Sequence, residues 1–310
     1  MPSPPPGART TVSKHPNSIR LFVLETDEPH RDTKNEVGTF GDVLNKLFQR
    51  AGDSHDPPLG VETVMQYVVE QDGGRVPEPE EITDDIHAIL ITGSCYDAHG
   101  DEEWIHKLMG LIRHIWIHRP DIKFCGICFG HQILCRTLGS KIEPNENGAW
   151  ELSHTAITLT DVGRKLFNID SPSSSSSSST KSSSSQKDDE DDDESAKIHL
   201  HEMHLDHVAV APSHKTTELL SRDTKVHVWG HSSHTGIQGI YICKRVFTTQ
   251  GHMEFNEENV RRQLEMRVEA GSLDEKDADE ASERADMMHD GEVVAKAVLR
   301  FFHGDDDVVE

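Results

Sequence analysis

The sequence predicts an α/β fold: a doubly wound, mostly parallel sheet with helices on both faces. Three observations carry this. Short, largely apolar runs recur in the first half of the chain, such as Ile19-Arg20-Leu21-Phe22-Val23-Leu24 and Ala88-Ile89-Leu90-Ile91. A continuous apolar run suits a strand buried on both faces. Between the runs lie residues at helical spacing: Phe40, Val43, Leu44, Leu47 and Phe48, then Trp104, Leu108, Leu111, Ile112 and Ile115. Strand and helix thus alternate, which is the pattern of parallel strands joined by helical crossovers.

In chain order, residues 1–17 are rich in Pro, Ser and Thr and are expected to form a disordered tail. Residues 19–24 form the first strand. Glu25-Thr26-Asp27 follows at its carboxyl end, where open α/β sheets place their ligands. The helix of Phe40 to Phe48 leads to a second strand over 61–69 and a turn over 77–81. The strand over 87–91 runs into Thr92-Gly93-Ser94, and a helix over 102–118 stops before Pro120. A strand at 150–159 precedes a block of seven serines at 173–179, four more at 182–185 and seven acidic residues at 188–194. Such a block cannot bury a core, so 171–196 reads as a solvated insert. Strands resume at 198–210, 226–229, 237–242 and 246–249. A helix capped by Asn256 follows, then a polar and acidic stretch over 271–290 that reads as a loop or frayed helix. An amphipathic helix over 292–302 comes last. The main domain is accordingly 18–270, with 271–310 an acidic segment and terminal helix. There is no internal repeat.

Composition narrows the function. With 31 Lys+Arg against 55 Asp+Glu, the net charge of −24 argues against non-specific binding to nucleic acid or to an anionic membrane. The five cysteines do not make a small disulfide framework, and an odd number fits a reducing compartment. The first residues lack the apolar core of a signal peptide, and no run approaches a membrane span. These features point to the cytoplasm, with the nucleus also open.

The chemistry concentrates at Phe124-Cys125-Gly126-Ile127-Cys128-Phe129-Gly130-His131-Gln132. It reads as a strand, a Gly-x-Cys-x-Gly turn and the start of a helix, a nucleophile elbow with Cys in place of Ser. Cys128 would sit at a helix N-terminus, which favours the thiolate. A cysteine nucleophile needs a base and a group to orient that base. Gln250-Gly251-His252-Met253-Glu254, at a strand end, supplies both, because residues i and i+2 of an extended segment project to one side. The backbone N–H of Phe129 and that of Gly93 are candidate oxyanion donors.

These residues resemble the class I, triad-type glutamine amidotransferase domain. Gly126-Ile127-Cys128-Phe129-Gly130-His131-Gln132 and the later His252-Met253-Glu254 carry the resemblance. Thr92-Gly93-Ser94 matches the family's oxyanion-strand motif. His204-Leu205-Asp206-His207-Val208 is similar to the His-x-Asp segment near the site in its GMP-synthetase-like branch. The match runs over roughly residues 19–270, outside the insert. It implies a flavodoxin-like fold in which Cys128 attacks a γ-glutamyl amide, His252 acts as base and then acid, and Glu254 orients His252. Gly93, Phe129, Gln132, His204 and Asp206 then line the oxyanion hole and substrate site. One departure is Met253, where the family usually has Pro, whose ring would stiffen the loop. No phosphate-loop motif or acceptor domain is recognisable, so ammonia would pass to a separate acceptor protein or to water. Stand-alone members of this branch include γ-glutamyl peptidases acting on glutathione-type compounds, and the substrate is a small γ-glutamyl molecule in either case. No metal or organic cofactor is implied.

Other readings compete. Cys125 and Cys128 form a Cys-x-x-Cys, but Cys125 is expected on a buried strand. The segment His199, His201, His204 and His207 suggests a metal hydrolase but misses the spacing of binuclear sites, with Met203 where an acid is needed. A binding or regulatory module with a degenerate site is the third.

Overall fold

The computed structural model describes residues 5–145, 148–169 and 196–306. The expected insert at 171–196 lies outside the described residues except for Ala196, as do the first four residues of the expected tail.

The strands are β1 (Arg9–Thr10), β2 (Ser18–Glu25), β3 (Gly60–Tyr67), β4 (Ala88–Ile91), β5 (Lys123–Ile127), β6 (Ile142–Pro144), β7 (Glu151–Leu159), β8 (Lys197–His204), β9 (Asp206–Val208), β10 (His227–His231), β11 (Gly239–Ile242) and β12 (Val246–Thr249). The helices are α1 (Arg31–Val37), α2 (Phe40–Asp53), α3 (Glu103–His118), α4 (Phe129–Thr137), α5 (Asp161–Phe167), α6 (Glu257–Glu269), α7 (Glu275–Ser282) and α8 (Gly291–His303). Ten strands form one sheet in the order β1-β3-β2-β4-β5-β12-β11-β10-β7-β8. Its centre, β3-β2-β4-β5-β12, is parallel throughout. Beyond β12 the sheet continues as an antiparallel wing.

The doubly wound architecture follows from the alternation of side chains along buried strands. In β2, Ile19, Leu21 and Val23 enter the core shared with α2, α5 and α8, whereas Phe22 and Leu24 enter the core shared with α3 and α4. In β4, Ala88 and Leu90 divide from Ile89 and Ile91 in the same way. Neither strand can show a polar face, which is why both read as apolar runs. The first helix predicted, α2, starts with a capping box: Asp42 N donates to Thr39 Oγ1 at 3.4 Å and Thr39 N donates to Asp42 Oδ2 at 2.9 Å. Asn256 caps α6 as its sequence suggests, accepting from Asn259 N at 2.9 Å. Among the described residues no helix is long and apolar enough to cross a membrane.

Several expectations are corrected. A disordered tail does not describe residues 5–17. Arg9–Thr10 pairs antiparallel with β3, and the Arg9 guanidinium donates to Asp42 at 2.7 Å and to Glu25 at 3.3 Å. Composition alone cannot reveal such contacts, because their partners lie far along the chain. The helices α1 and α5 were not expected. Both are only seven residues long, too short to show a periodic apolar stripe. Part of 271–290, read as a loop or frayed helix, forms α7, which buries Ala278 and Ala281.

The terminal helix α8 belongs to the main core. Phe302 is 1% exposed and meets Phe48 of α2 edge-on at 5.7 Å. Phe302→Ala should therefore cost about 3–5 kcal/mol in a urea titration. A loss below about 1 kcal/mol would show that α8 is peripheral.

Candidate active site

Strand register brings the sequence-distant candidates together. The pairs Ile91↔Gly126 and Thr249↔Ile127 set the carboxyl ends of β4 and β12 on either side of β5. The residues that follow those ends, Gly93 and His252, therefore flank Cys128. Cys128 has φ 52° and ψ −109°, a left-handed backbone conformation that a side chain rarely adopts. Cβ atoms at Gly126 and Gly130 would fall on the carbonyl oxygens of Gly130 and Ile91 respectively, so both elbow glycines answer to close backbone approach. Cys128 N donates to Thr249 O at 2.9 Å, tying the elbow to β12.

His252 is anchored from its other side, since its N–H donates to His201 O of β8 at 2.8 Å. Its ring stacks on Phe255 with centroids 3.8 Å apart, and its Nδ1 lies 2.8 Å from Glu254 Oε1. The carboxylate accepts, so Nδ1 carries the proton and Nε2 is left for Cys128. Burial pulls the His252 pKa down, but Glu254 and Cys128 outweigh it and push the pKa up to about 10. Gly93 packs against this pair: a Cβ there would lie 2.8 Å from His252 Cε1 and 3.5 Å from Cys128 Cβ. Among the described residues, the amides of Gly93 and Phe129 donate to no protein acceptor. Cys128, His252 and Glu254 are each at most 7% exposed. A nucleophile, a base with a fixed tautomer and two free backbone donors are what acyl transfer needs.

A cavity of about 180 Å³ opens beside Cys128 and is bordered by Gln132, His204, Asp206, Trp150 and Arg267. A smaller void of about 20 Å³, room for one water-sized group, lies beside His252 and is bordered by Gly93, Phe40, Gln263 and Arg267. The three further predicted residues differ in what they can offer. Gln132 Nε2 donates to Asp206 O at 2.8 Å and to Gln250 Oε1 at 3.1 Å, so its amide protons tie the wall together. His204 is also fully engaged: Nδ1 donates to Asp206 O at 2.9 Å, and Nε2 faces Glu151 at 3.1 Å and Glu202 at 3.3 Å. Burial disfavours a charged His204, but the two carboxylates outweigh it and raise its pKa well above the usual value. Asp206 faces the cavity. Burial pushes its pKa up, against the pull of His99 Nδ1 at 2.9 Å.

Glu151, Glu202 and His204 present three ligand atoms within 4.8 Å of one another. Their contacts are those of an imidazolium held between two buried carboxylates. Of the four histidines over 199–207, only His204 joins such a group among the described residues. Cys125 is fully buried in β5, where burial pushes its thiol up, which disfavours a redox pair with Cys128.

Sequence reasoning missed Glu151, Glu202, Phe255 and Arg267. The first two lie on paired strands whose register is not local information. Arg267 left no signal, since a basic residue in the last turn of a helix is ordinary.

The His252 proton also sets a pH dependence. A folded-state pKa near 10 against an ordinary 6.5 contributes stability that is full below about pH 6.5 and is lost as pH rises through 10. Glu254→Gln removes the leading cause of the rise. The stability difference between wild type and Glu254→Gln should be largest at pH 6 and shrink by pH 10 in urea titrations. A difference independent of pH would refute the pairing.

Comparison with known proteins gives the family and the fold. The family model "Glutamine amidotransferase class-I" matches residues 62–266, well over half of the chain. A glutamine amidotransferase-like protein of Schizosaccharomyces pombe is 26% identical over 281 residues, covering 91% of this chain and 97% of that protein. Gamma-glutamyl peptidase 2 of Arabidopsis thaliana is 29% identical over 124 residues, covering 40% of this chain and 45% of the relative. The crystal structure of a glutamine amidotransferase from Thermotoga maritima shares the fold, with a TM-score of 0.57 at 16% identity over 94% of this chain and 98% of that one. With the elbow, the flanking His-x-Glu pair and the family match together, the chain belongs to the class-I glutamine amidotransferase family.

Proposed function

We propose that this protein hydrolyses a γ-glutamyl amide bond, converting glutamine to glutamate and ammonia. The observation that carries the reading is Cys128 in a strained left-handed turn, flanked by His252, which is held by Glu254 at 2.8 Å. Cys128 Sγ, whose proton His252 Nε2 already holds, attacks the γ-carbonyl carbon. The carbonyl oxygen becomes an oxyanion facing the amides of Gly93 and Phe129. Collapse of that adduct breaks the C–N bond, and His252 returns the proton to the leaving nitrogen. A γ-glutamyl thioester remains on Cys128. Water, deprotonated by His252, attacks the thioester and releases glutamate and the thiol. Glu254 holds the Nδ1 proton and stabilises the imidazolium in both halves. Ammonia released in this way passes to a separate acceptor protein or to water.

A second reading keeps the same residues and changes the leaving group: γ-glutamyl peptides in place of glutamine. It is favoured by the relatives named gamma-glutamyl peptidases and by the cavity of about 180 Å³ next to Cys128. Both readings are tested by incubating wild type and Cys128→Ala with glutamine and, separately, with γ-glutamyl peptides. Turnover of at least one substrate is expected, falling by on the order of 10³-fold or more in the variant. Turnover of neither by wild type would indicate a binding module with a degenerate site, and turnover surviving in Cys128→Ala would remove the thioester route.

A further inference from the structure

The wall of the site carries a half-buried cation that, among the described residues, is hydrogen-bonded to no carboxylate. Arg267 borders both the void beside His252 and the larger cavity beside Asp206. Its Nε is buried and has no hydrogen-bond partner. Among the described residues it takes part in no ion pair; its guanidinium carbon instead lies 5.6 Å from the ring centroid of Trp150. Burial raises the Asp27 pKa and the Arg267 charge pulls it down, yet the acids nearby take their hydrogen bonds elsewhere. Asp27 accepts from the backbone of Cys95 and of Glu28, each at 2.8 Å, and Asp206 meets His99 at 2.9 Å. The backbone of Arg267 is fixed, because its carbonyl accepts from Ser272 N at 3.0 Å and Ser272 Oγ at 3.1 Å.

A half-buried guanidinium stacked on an aromatic ring and hydrogen-bonded to no carboxylate is pre-organised to grip one with two parallel hydrogen bonds. In a chain of net charge −24, a cation bordering the same cavities as Cys128 works against a field that repels anions. We propose that Arg267 binds a carboxylate of the substrate and so restricts the site to γ-glutamyl compounds that present one. This rests on the γ-glutamyl hydrolysis proposed above. The carboxylate has two sources within one chemistry. It is either the α-carboxylate of the γ-glutamyl group or a carboxylate on the leaving group, since Arg267 borders both compartments.

Two substrate pairs separate these sources. Glutamine against its α-carboxamide removes only the α-carboxylate. γ-Glutamylglycine against γ-glutamyl ethylamide removes only the leaving-group carboxylate. Wild type should discriminate by roughly 10- to 100-fold in kcat/KM within at least one pair, the size expected for a charge-assisted contact. Arg267→Met keeps the aliphatic body over Trp150 and should collapse that same ratio toward one, while Arg267→Lys should retain part of it. Collapse in the first pair assigns the α-carboxylate, and collapse in the second assigns the leaving group. No discrimination by wild type in either pair, or ratios unchanged in Arg267→Met, overturns the proposal. So does an equal loss on all four substrates, the mark of a merely structural role. If wild type cleaves these compounds through Cys128 without discrimination, this inference alone fails. If it cleaves none, the hydrolysis reading fails.

Discussion

The strained backbone at Cys128 is the constraint around which the rest of the molecule is arranged. A left-handed conformation at a non-glycine residue costs on the order of 1–3 kcal/mol and persists only where its surroundings over-determine it. Here they do. β5 is hydrogen-bonded on both sides, to β4 and to β12, and the elbow amide is tied to Thr249. Gly126 and Gly130 allow backbone to touch backbone on either side of the turn. Those pairings then decide where everything else lies. The register with β4 delivers Gly93, and the register with β12 delivers His252 and Glu254. The site is thus a property of three adjacent parallel strands, not of any loop acting alone.

Carboxylate placement is the second organising rule. His131, His201, His204 and His252 are all buried, at most 5% exposed. Burial disfavours the charged form in each, yet they divide into two kinds. His131, with Thr248 Oγ1 as its ring partner at 2.7 Å, and His201, with neither ring nitrogen partnered, are depressed to about 3. His204, between Glu151 and Glu202, and His252, against Glu254, are raised instead. The difference is a carboxylate within contact, whose attraction in a poorly solvated interior exceeds the cost of desolvation. His252 is therefore held toward its protonated form beside Cys128. His204, its charged form favoured by its neighbours, lies inside the wall between β7 and β8 and donates to the Asp206 carbonyl.

Legibility in the sequence tracked the range of the interactions. The elbow was legible because it is local: two glycines, a cysteine and the flanking strand and helix lie within nine residues. The parallel centre was legible because a strand buried on both faces has no choice but to be apolar. His252 and Glu254 were legible as a pair because an extended segment aligns i and i+2. The rest depends on register. Glu151 and His204 stand opposite each other only because β7 and β8 pair Glu151↔His204, and 52 residues, half of them the insert, separate those two positions. The segment at Arg9 read as a tail because its stabilising partners, Glu25, Asp42 and Met65, are scattered over three elements. Gln132 lies at the cavity wall, but its amide protons are committed to Asp206 and Gln250, which no single-residue reading reveals.

Met253 holds the segment of His252 and Glu254 by a different physical route from a proline. A proline between the histidine and the glutamate would hold the segment through a fixed φ, acting on the backbone itself. Methionine has no such restraint, and its flexible side chain would loosen an exposed loop. It is not exposed here: Met253 is 1% accessible and packs into the same core as Leu200, Cys128 and Val294. Its carbonyl lies so close to Gly291 that a Cβ there would collide with it. The segment is therefore clamped from below by packing against α8, from one side by the backbone bond from His252 to His201, and from above by Phe255 stacked on the imidazole. Packing of this kind couples the orientation of His252 to the terminal helix, far beyond the end of the strand that carries it. The segment after β12 is thus rigid because of residues contributed by β8 and α8, and the intactness of the core under it becomes a condition for the alignment of Glu254, His252 and Cys128.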